Sequence, residues 1–226
     1  MSSAPPSTAA ALSAIARLAL LRATRGALPA VAFVIACLPA AAAGALSKSA
    51  PIDETMSIVQ LLLAVLPALF VAPAIGEEIE NRTATYLWSR PLARWTILAG
   101  KLLALVPLCV VFLVGSWLAD GAVNHALLAP QPIVAVAAGT VATAVVVAGI
   151  ATVLPRHGMA FAIVYLLIDL MLGALPASVR LVSVSFATRS VAGLTDAGPT
   201  TGAIGLAVIG ALWLAIALRR IARLET

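Results

Sequence analysis

Charge, histidine and cysteine are all scarce in this 226-residue sequence: 10% of the residues are charged, and there are two histidines and two cysteines. So little charge excludes a water-soluble domain, because 62% hydrophobic residues and a mean hydropathy of +1.10 exceed what a chain of this length can hide from water. Two histidines leave no His and carboxylate cluster with metal-ligand spacing. An intramembrane hydrolase needs a nucleophile beside a base at membrane depth, whereas His125 falls in an expected outer loop and His157 in an expected inner turn. Cys37 and Cys109 lie inside apolar runs as small fillers, and no disulfide is expected. A phosphate loop of the form G-x-x-x-x-G-K-[ST] is also missing; "LAGKLL" shares only Gly-Lys with it, so the chain is expected to hydrolyse no ATP by itself.

What the sequence has in abundance is long apolar runs. About 20 mostly apolar residues cross the hydrocarbon core of a bilayer, and six stretches qualify: Ala27 to Leu46, Ser57 to Ile75, Ile97 to Ala119, Pro132 to Leu154, Gly158 to Pro176 and Gly202 to Leu218. They are continuous runs without the alternation of a membrane barrel, so the expected class is an all-α membrane protein, residues 1–226 forming a single domain. Pro39, Pro67 and Pro107 are compatible with this, since neighbouring helices can satisfy the freed backbone groups. Gly139, Thr143 and Ala148 in the fourth run suit close helix packing. The longest connections, Gly76 to Thr96 and Ala177 to Thr201, leave no room for an inserted soluble catalytic domain.

Counting cations beside the runs gives an orientation. With a cytoplasmic N-terminus the inner side collects Arg17, Arg22, Arg25, Arg82, Arg90, Arg94, Arg156, Arg219, Arg220 and Arg223, and the outer side only Lys48, Arg180 and Arg189. Both termini are therefore expected in the cytoplasm, in the cytoplasmic (inner) membrane. The net charge of +5 is topology, and no nucleic-acid partner is implied. The opening "MSSAPPSTAAALSA" lacks the positive n-region of a secretory signal, so none is expected.

Three segments carry more than topology. "ALSAIARLALLRATRG" reads as a helix on the membrane surface in preference to a cytoplasmic extension of the first run, with Leu12, Ala16, Ala19 and Leu20 turned away from Arg17, Arg22 and Arg25, although Leu18 and Leu21 fall inside the arginine arc. Asp169 in "YLLIDLML" is costly at a helix centre, about 2.5 to 3.5 kcal/mol on insertion scales, so it should face protein or a watery cavity. It reads equally as a translocation-path or gating residue and as a packing contact, with Tyr165 one turn away on the same face. The connection "ASVRLVSVSFATRSVAGLTDAGP" is too apolar for a free loop and should fold back on the outer surface, and its alternation at Val182, Val184 and Phe186 would suit a strand.

Charge is concentrated in "IGEEIENRTATYLWSRPLARWTILAGK", residues 75–101, on the expected cytoplasmic side between the second and third runs. From Glu77 to Trp88 it can form a short helix with Ile79, Thr83, Tyr86 and Leu87 in one stripe and Glu78 four residues before Arg82, in the favourable order for an ion pair. Pro91 biases Arg90 out of helical geometry and ends it, and Lys101 is expected to snorkel to the headgroups. Its order, with Glu78 and Glu80, then Thr83, Leu87, Ser89-Arg90-Pro91, Arg94 and finally Gly100-Lys101, resembles the cytoplasmic loop of ABC-2 type permeases. These are membrane subunits of ATP-binding cassette transporters, and the likeness is closest to the branch that contains copper-maturation (nitrous oxide reductase) permeases. Arg82 departs from the pattern, standing where that family has Gly.

The resemblance implies six transmembrane helices, an N-terminal interfacial helix, a coupling helix between spans 2 and 3 and short external helices in the outer connection before the last span. It implies that Glu78, Ile79, Glu80, Arg82, Thr83, Tyr86, Leu87, Ser89, Arg90, Pro91 and Arg94 seat in a groove of a separate cytoplasmic ATPase. Two permeases and two ATPases would form the working unit, with ATP and Mg bound by the ATPase and no cofactor in this chain. Export is the implied direction, and a periplasmic or extracellular accessory protein is a further partner the class admits. A stand-alone secondary carrier or channel, and less favourably an intramembrane enzyme, are the competing classes.

Overall fold

The computed structural model describes residues 8–46, 52–80, 95–124, 129–175 and 178–223. Among them are eight α-helices, one short 3-10 helix and no strand: α1 (Thr8–Thr24), α2 (Leu28–Leu46), α3 (Ile52–Glu80), α4 (Trp95–Asn124), α5 (Pro130–Val153), α6 (Gly158–Gly173), the 3-10 helix Ser178–Val182, α7 (Val184–Val191) and α8 (Gly198–Arg223).

Four of these, α3, α4, α5 and α8, are each long and apolar enough to cross a membrane, and the pair α1 and α2, bent by 72°, counts as a fifth if taken together. The bend falls where Gly26 takes φ 137°, a region closed to side-chain-bearing residues. The fifth expected crossing is shorter than its apolar run: α6 has 16 residues. That length rises about 24 Å, less than the roughly 30 Å hydrocarbon core. It stops because the amide of Ala174 turns back onto Leu172 and Met171, sending the chain into the 3-10 helix. Helix ends also differ from expectation. The second run continues through Glu80 and the third to Asn124, because helical hydrogen bonding continues past the point where charge appears. Pro39, Pro67 and Pro107 all lie inside helices, as does Pro73.

Helices α3 and α5 form the centre of the bundle, with 67% of each apolar window buried, against 22% for α8. Small residues set the spacing there. A Cβ on Gly149 of α5 would lie 2.5 Å from the Trp213 ring of α8, and one on Gly202 of α8 would lie 2.5 Å from the Ala187 carbonyl of α7. Both are contacts that only glycine permits. Gly139, expected to allow close approach, does so against Thr188 of α7, and Thr143 and Ala148 are buried.

Polar and apolar groups separate along the bundle. The ion pair Arg22–Glu77 lies at one end of α3, and Arg189–Asp53, at 2.8 Å, at the other. Asp53 and Glu77 are separated by about 36 Å of helix, and residues 55–75 between them carry no charge. Large apolar side chains are exposed on the helices beside that stretch, including Leu103, Val111, Phe161, Val208 and Leu212. A core-thick apolar band with charge at both rims identifies an integral membrane protein.

Candidate functional site

Two regions carry chemistry. The first is the end of the bundle where α3 leaves and α4 returns. α3 runs without interruption to Glu80, so residues 77–80 extend a core helix and do not start a separate one. Of the sequence-predicted coupling residues, Glu78, Ile79 and Glu80 lie on this last turn, and Ile79 is half-buried against the apolar core. Arg82, Thr83, Tyr86, Leu87, Ser89, Arg90, Pro91 and Arg94 lie outside the described residues.

Lys101 was expected to snorkel outward and does not. It is 5% exposed, and its ammonium donates to the Ala74 carbonyl of α3. The reason lies in packing: Gly100 seats α1 against α4, with Ile15 and the Leu12 carbonyl so close that a Cβ there would lie 2.8 Å from Ile15. α1 thus packs on α4 beside the lysine, whose ammonium turns to α3 instead. Arg22 of α1 pairs with Glu77 of α3 at the same end. Between α1, α2, α3 and α4 lies a partly enclosed cavity of about 540 Å³.

The second region surrounds Asp169, which is 5% exposed on α6. Its carboxylate accepts from the backbone amides of Val184 at 2.9 Å and Ser185 at 2.8 Å, and from the Ser183 hydroxyl at 3.0 Å. These are the orphan donors of the first turn of α7, whose N-cap is Ser183, so a buried anion meets a helix N-terminus. The Ser185 hydroxyl lies 3.0 Å from the Asp169 carbonyl, and Gln60 of α3 donates to the Ser185 carbonyl at 2.7 Å. Asp169 therefore ties α6 to α7, and Gln60 ties both to α3. Beside it is a cavity of about 10 Å³, lined in part by Gln60, Thr143 and Thr188. That is room for about one water, so in this conformation the carboxylate faces no open passage.

Tyr165 does not join Asp169 in a hydrogen bond. Its ring packs edge-on against Trp213 of α8, with centroids 5.6 Å apart, and so links α6 to α8. The segment between α6 and α8 is helical rather than extended: the Ser183 hydroxyl accepts from the Phe186 amide, and Val184, Phe186, Ala187 and Val191 are buried. Arg180 covers the Phe186 ring at 4.6 Å and pairs with Asp196.

Among the buried polar residues that sequence reasoning missed are Asp120 and Gln60. Asp120 is 1% exposed on α4, one residue beyond the expected end of the third run. The signal was present, since Cys109, Leu113, Trp117 and Asp120 recur at helical spacing and are all buried. Gln60 lay inside an expected span without attracting notice. His157 is exposed in the turn between α5 and α6, as expected, and His125 lies outside the described residues. Among the described residues no group of His, Cys, Asp and Glu is placed to hold a metal. No family model and no curated protein matches this chain.

Proposed function

We propose that this protein is the membrane-spanning permease subunit of an ATP-binding cassette transporter of the ABC-2 type, driven by a separate cytoplasmic ATPase and acting as an exporter. The observation that carries the reading is the acidic, Ser-Arg-Pro and Gly-Lys order of residues 78–101, inserted between two core helices of a chain with no phosphate loop. In this reading six helices cross the membrane, α6 with its fold-back α7 serving as the fifth crossing. α1 lies in the cytoplasmic interface, and both termini are cytoplasmic. Two copies assemble with two ATPases, which hold ATP and Mg.

The architecture supports a route for the work. α3 joins the coupling segment at Glu80 to Gln60, 20 residues and about 30 Å away. Because α3 is continuous and mostly buried, a displacement at Glu80 is passed along it toward Gln60, through Pro67 and Pro73, where the missing amides let the helix bend. Gln60 holds Ser185, and Ser185 is held by Asp169. Nucleotide-driven closure of the ATPases would then pull on α7 at the far side, with Asp169 as the contact that releases or retains it and Tyr165 tying α6 to α8 beside it.

A stand-alone carrier is the second reading. It is favoured by one observation, the burial of a second carboxylate, Asp120, near the end of α4. Isolation of the tagged chain from its native membrane separates the two. A permease brings an ATPase subunit in stoichiometric amount and is inactive in its absence; a carrier transports in vesicles that contain this chain alone.

A further inference from the structure

The cavity between α1, α2, α3 and α4 has a built polarity. Three helices contribute a stripe each. On α1 the stripe is Ile15, Leu18, Arg22 and Arg25, on α3 it is Leu69, Pro73 and Glu77, and on α4 it is Ile97, Lys101 and Leu105. These spacings of three and four residues keep every member on one face. Along α3 the stripe passes from Leu69 to Glu77 over about 12 Å, so the cavity has an apolar floor toward the middle of the bundle and a charged rim at its end.

The rim carries an excess of cation. Arg22 is paired with Glu77, and the exposed Arg25 has no partner among the described residues. The same mouth exposes leucines that a watery surface would not favour: Leu18 is 68% exposed and Leu21 and Leu28 are each 37% exposed. Leu18 and Leu21 are the two that spoil the amphipathic pattern of α1. Beside two arginines, they make a surface matched to a molecule with an anionic head and an apolar tail. The volume of about 540 Å³ lies within the range of small-molecule sites, roughly 300 to 1,000 Å³.

We infer that this cavity binds one anionic phospholipid of the surrounding leaflet, its phosphate at Arg22 and Arg25 and an acyl chain over Leu69, Phe70 and Leu105. The lipid would fasten α1 to the bundle at the point where the bend at Gly26 leaves it held chiefly by α4. The inference needs only the membrane setting and stands apart from the ATPase.

The test uses the full chain purified in mild detergent, with bound lipid counted by native mass spectrometry during titration. The probes are phosphatidylglycerol, phosphatidylcholine and free glycerophosphate. Arg25→Gln removes an exposed charge and should weaken phosphatidylglycerol binding about fivefold, the worth of one basic residue near an anionic lipid. Arg17→Gln removes an equal charge from the same helix outside the cavity and should leave binding within a factor of two. Leu18→Ser should weaken the lipid and leave glycerophosphate unaffected. Equal loss in Arg17→Gln and Arg25→Gln overturns the site in favour of diffuse attraction. Equal binding of phosphatidylcholine overturns the anionic headgroup, and glycerophosphate binding as tightly as the lipid overturns the lipid as occupant.

Discussion

Replacing Asp169 with alanine removes the acceptor for two buried amides, those of Val184 and Ser185, and for the Ser183 hydroxyl. The hydroxyl loses least, because the Asp169 carbonyl, also 3.0 Å from it, remains in place. Each stranded amide costs about 1–3 kcal/mol when buried. Two of them sum to about 2–6 kcal/mol, and a water admitted by the small cavity alongside, enlarged by the lost carboxylate, offsets part of this and brings the sum to the lower half of that range. The expected loss is about 2–4 kcal/mol, and for a chain of this size it lowers the unfolding temperature by roughly 5–15 °C. Asp169→Asn keeps the shape and one acceptor oxygen and should lose about half as much. Thermal unfolding of the purified protein gives the global value. Amide exchange of residues 184–191 gives the local one, and protection there should fall more than in α5. If Asp169→Ala unfolds within about 1 kcal/mol of the parent and α7 keeps its protection, the carboxylate is not the anchor of α7 and the role assigned to it fails.

Gly149→Ala should destabilise by about 1–3 kcal/mol, since the added methyl meets the Trp213 ring and backbone; restoration by Trp213→Leu in the double mutant, measured by thermal unfolding, checks that the clash is local. Arg189→Gln should change stability by less than about 1 kcal/mol, because its partner Asp53 is largely exposed and the pair is solvated. A larger loss in the same assay would mean that this end of the bundle is drier than its exposure indicates.

Much of the helical architecture was legible because the bilayer imposes a simple rule: apolar runs of sufficient length must close their own backbone hydrogen bonds. Where that rule stops, so did the reading. Ile75 and Ala119 ended their runs in hydropathy, yet the helices continue to Glu80 and Asn124, because a helix ends where its hydrogen bonds end, whatever its side chains carry. The extended reading of residues 182–186 failed against a local signal, Ser183 as an N-cap, and a remote one, the carboxylate of Asp169 on another helix. The remote partner leaves no trace in periodicity. Lys101 was read by its own chemistry as a snorkelling cation, whereas it is buried and donates to the Ala74 carbonyl of α3, a remote acceptor. The mixed arc of Leu18 and Leu21 among arginines looked like an imperfect amphipathic helix, and it becomes intelligible only with the cavity that those leucines border.

The central claim is that residues 77–94 grip an ATPase, and it is tested most directly in the assembled complex by comparing Tyr86→Ala with Arg94→Ala. A coupling stripe anchored by burial places most of the binding energy in its aromatic residue, with flanking charges setting register. Tyr86→Ala should therefore reduce retention of the ATPase and transport-coupled hydrolysis by an order of magnitude or more, about 2 kcal/mol, while Arg94→Ala changes either by no more than about fivefold. A Tyr86→Ala complex that keeps its ATPase, hydrolyses ATP and transports like the parent would contradict the account and leave the segment as a topology signal alone.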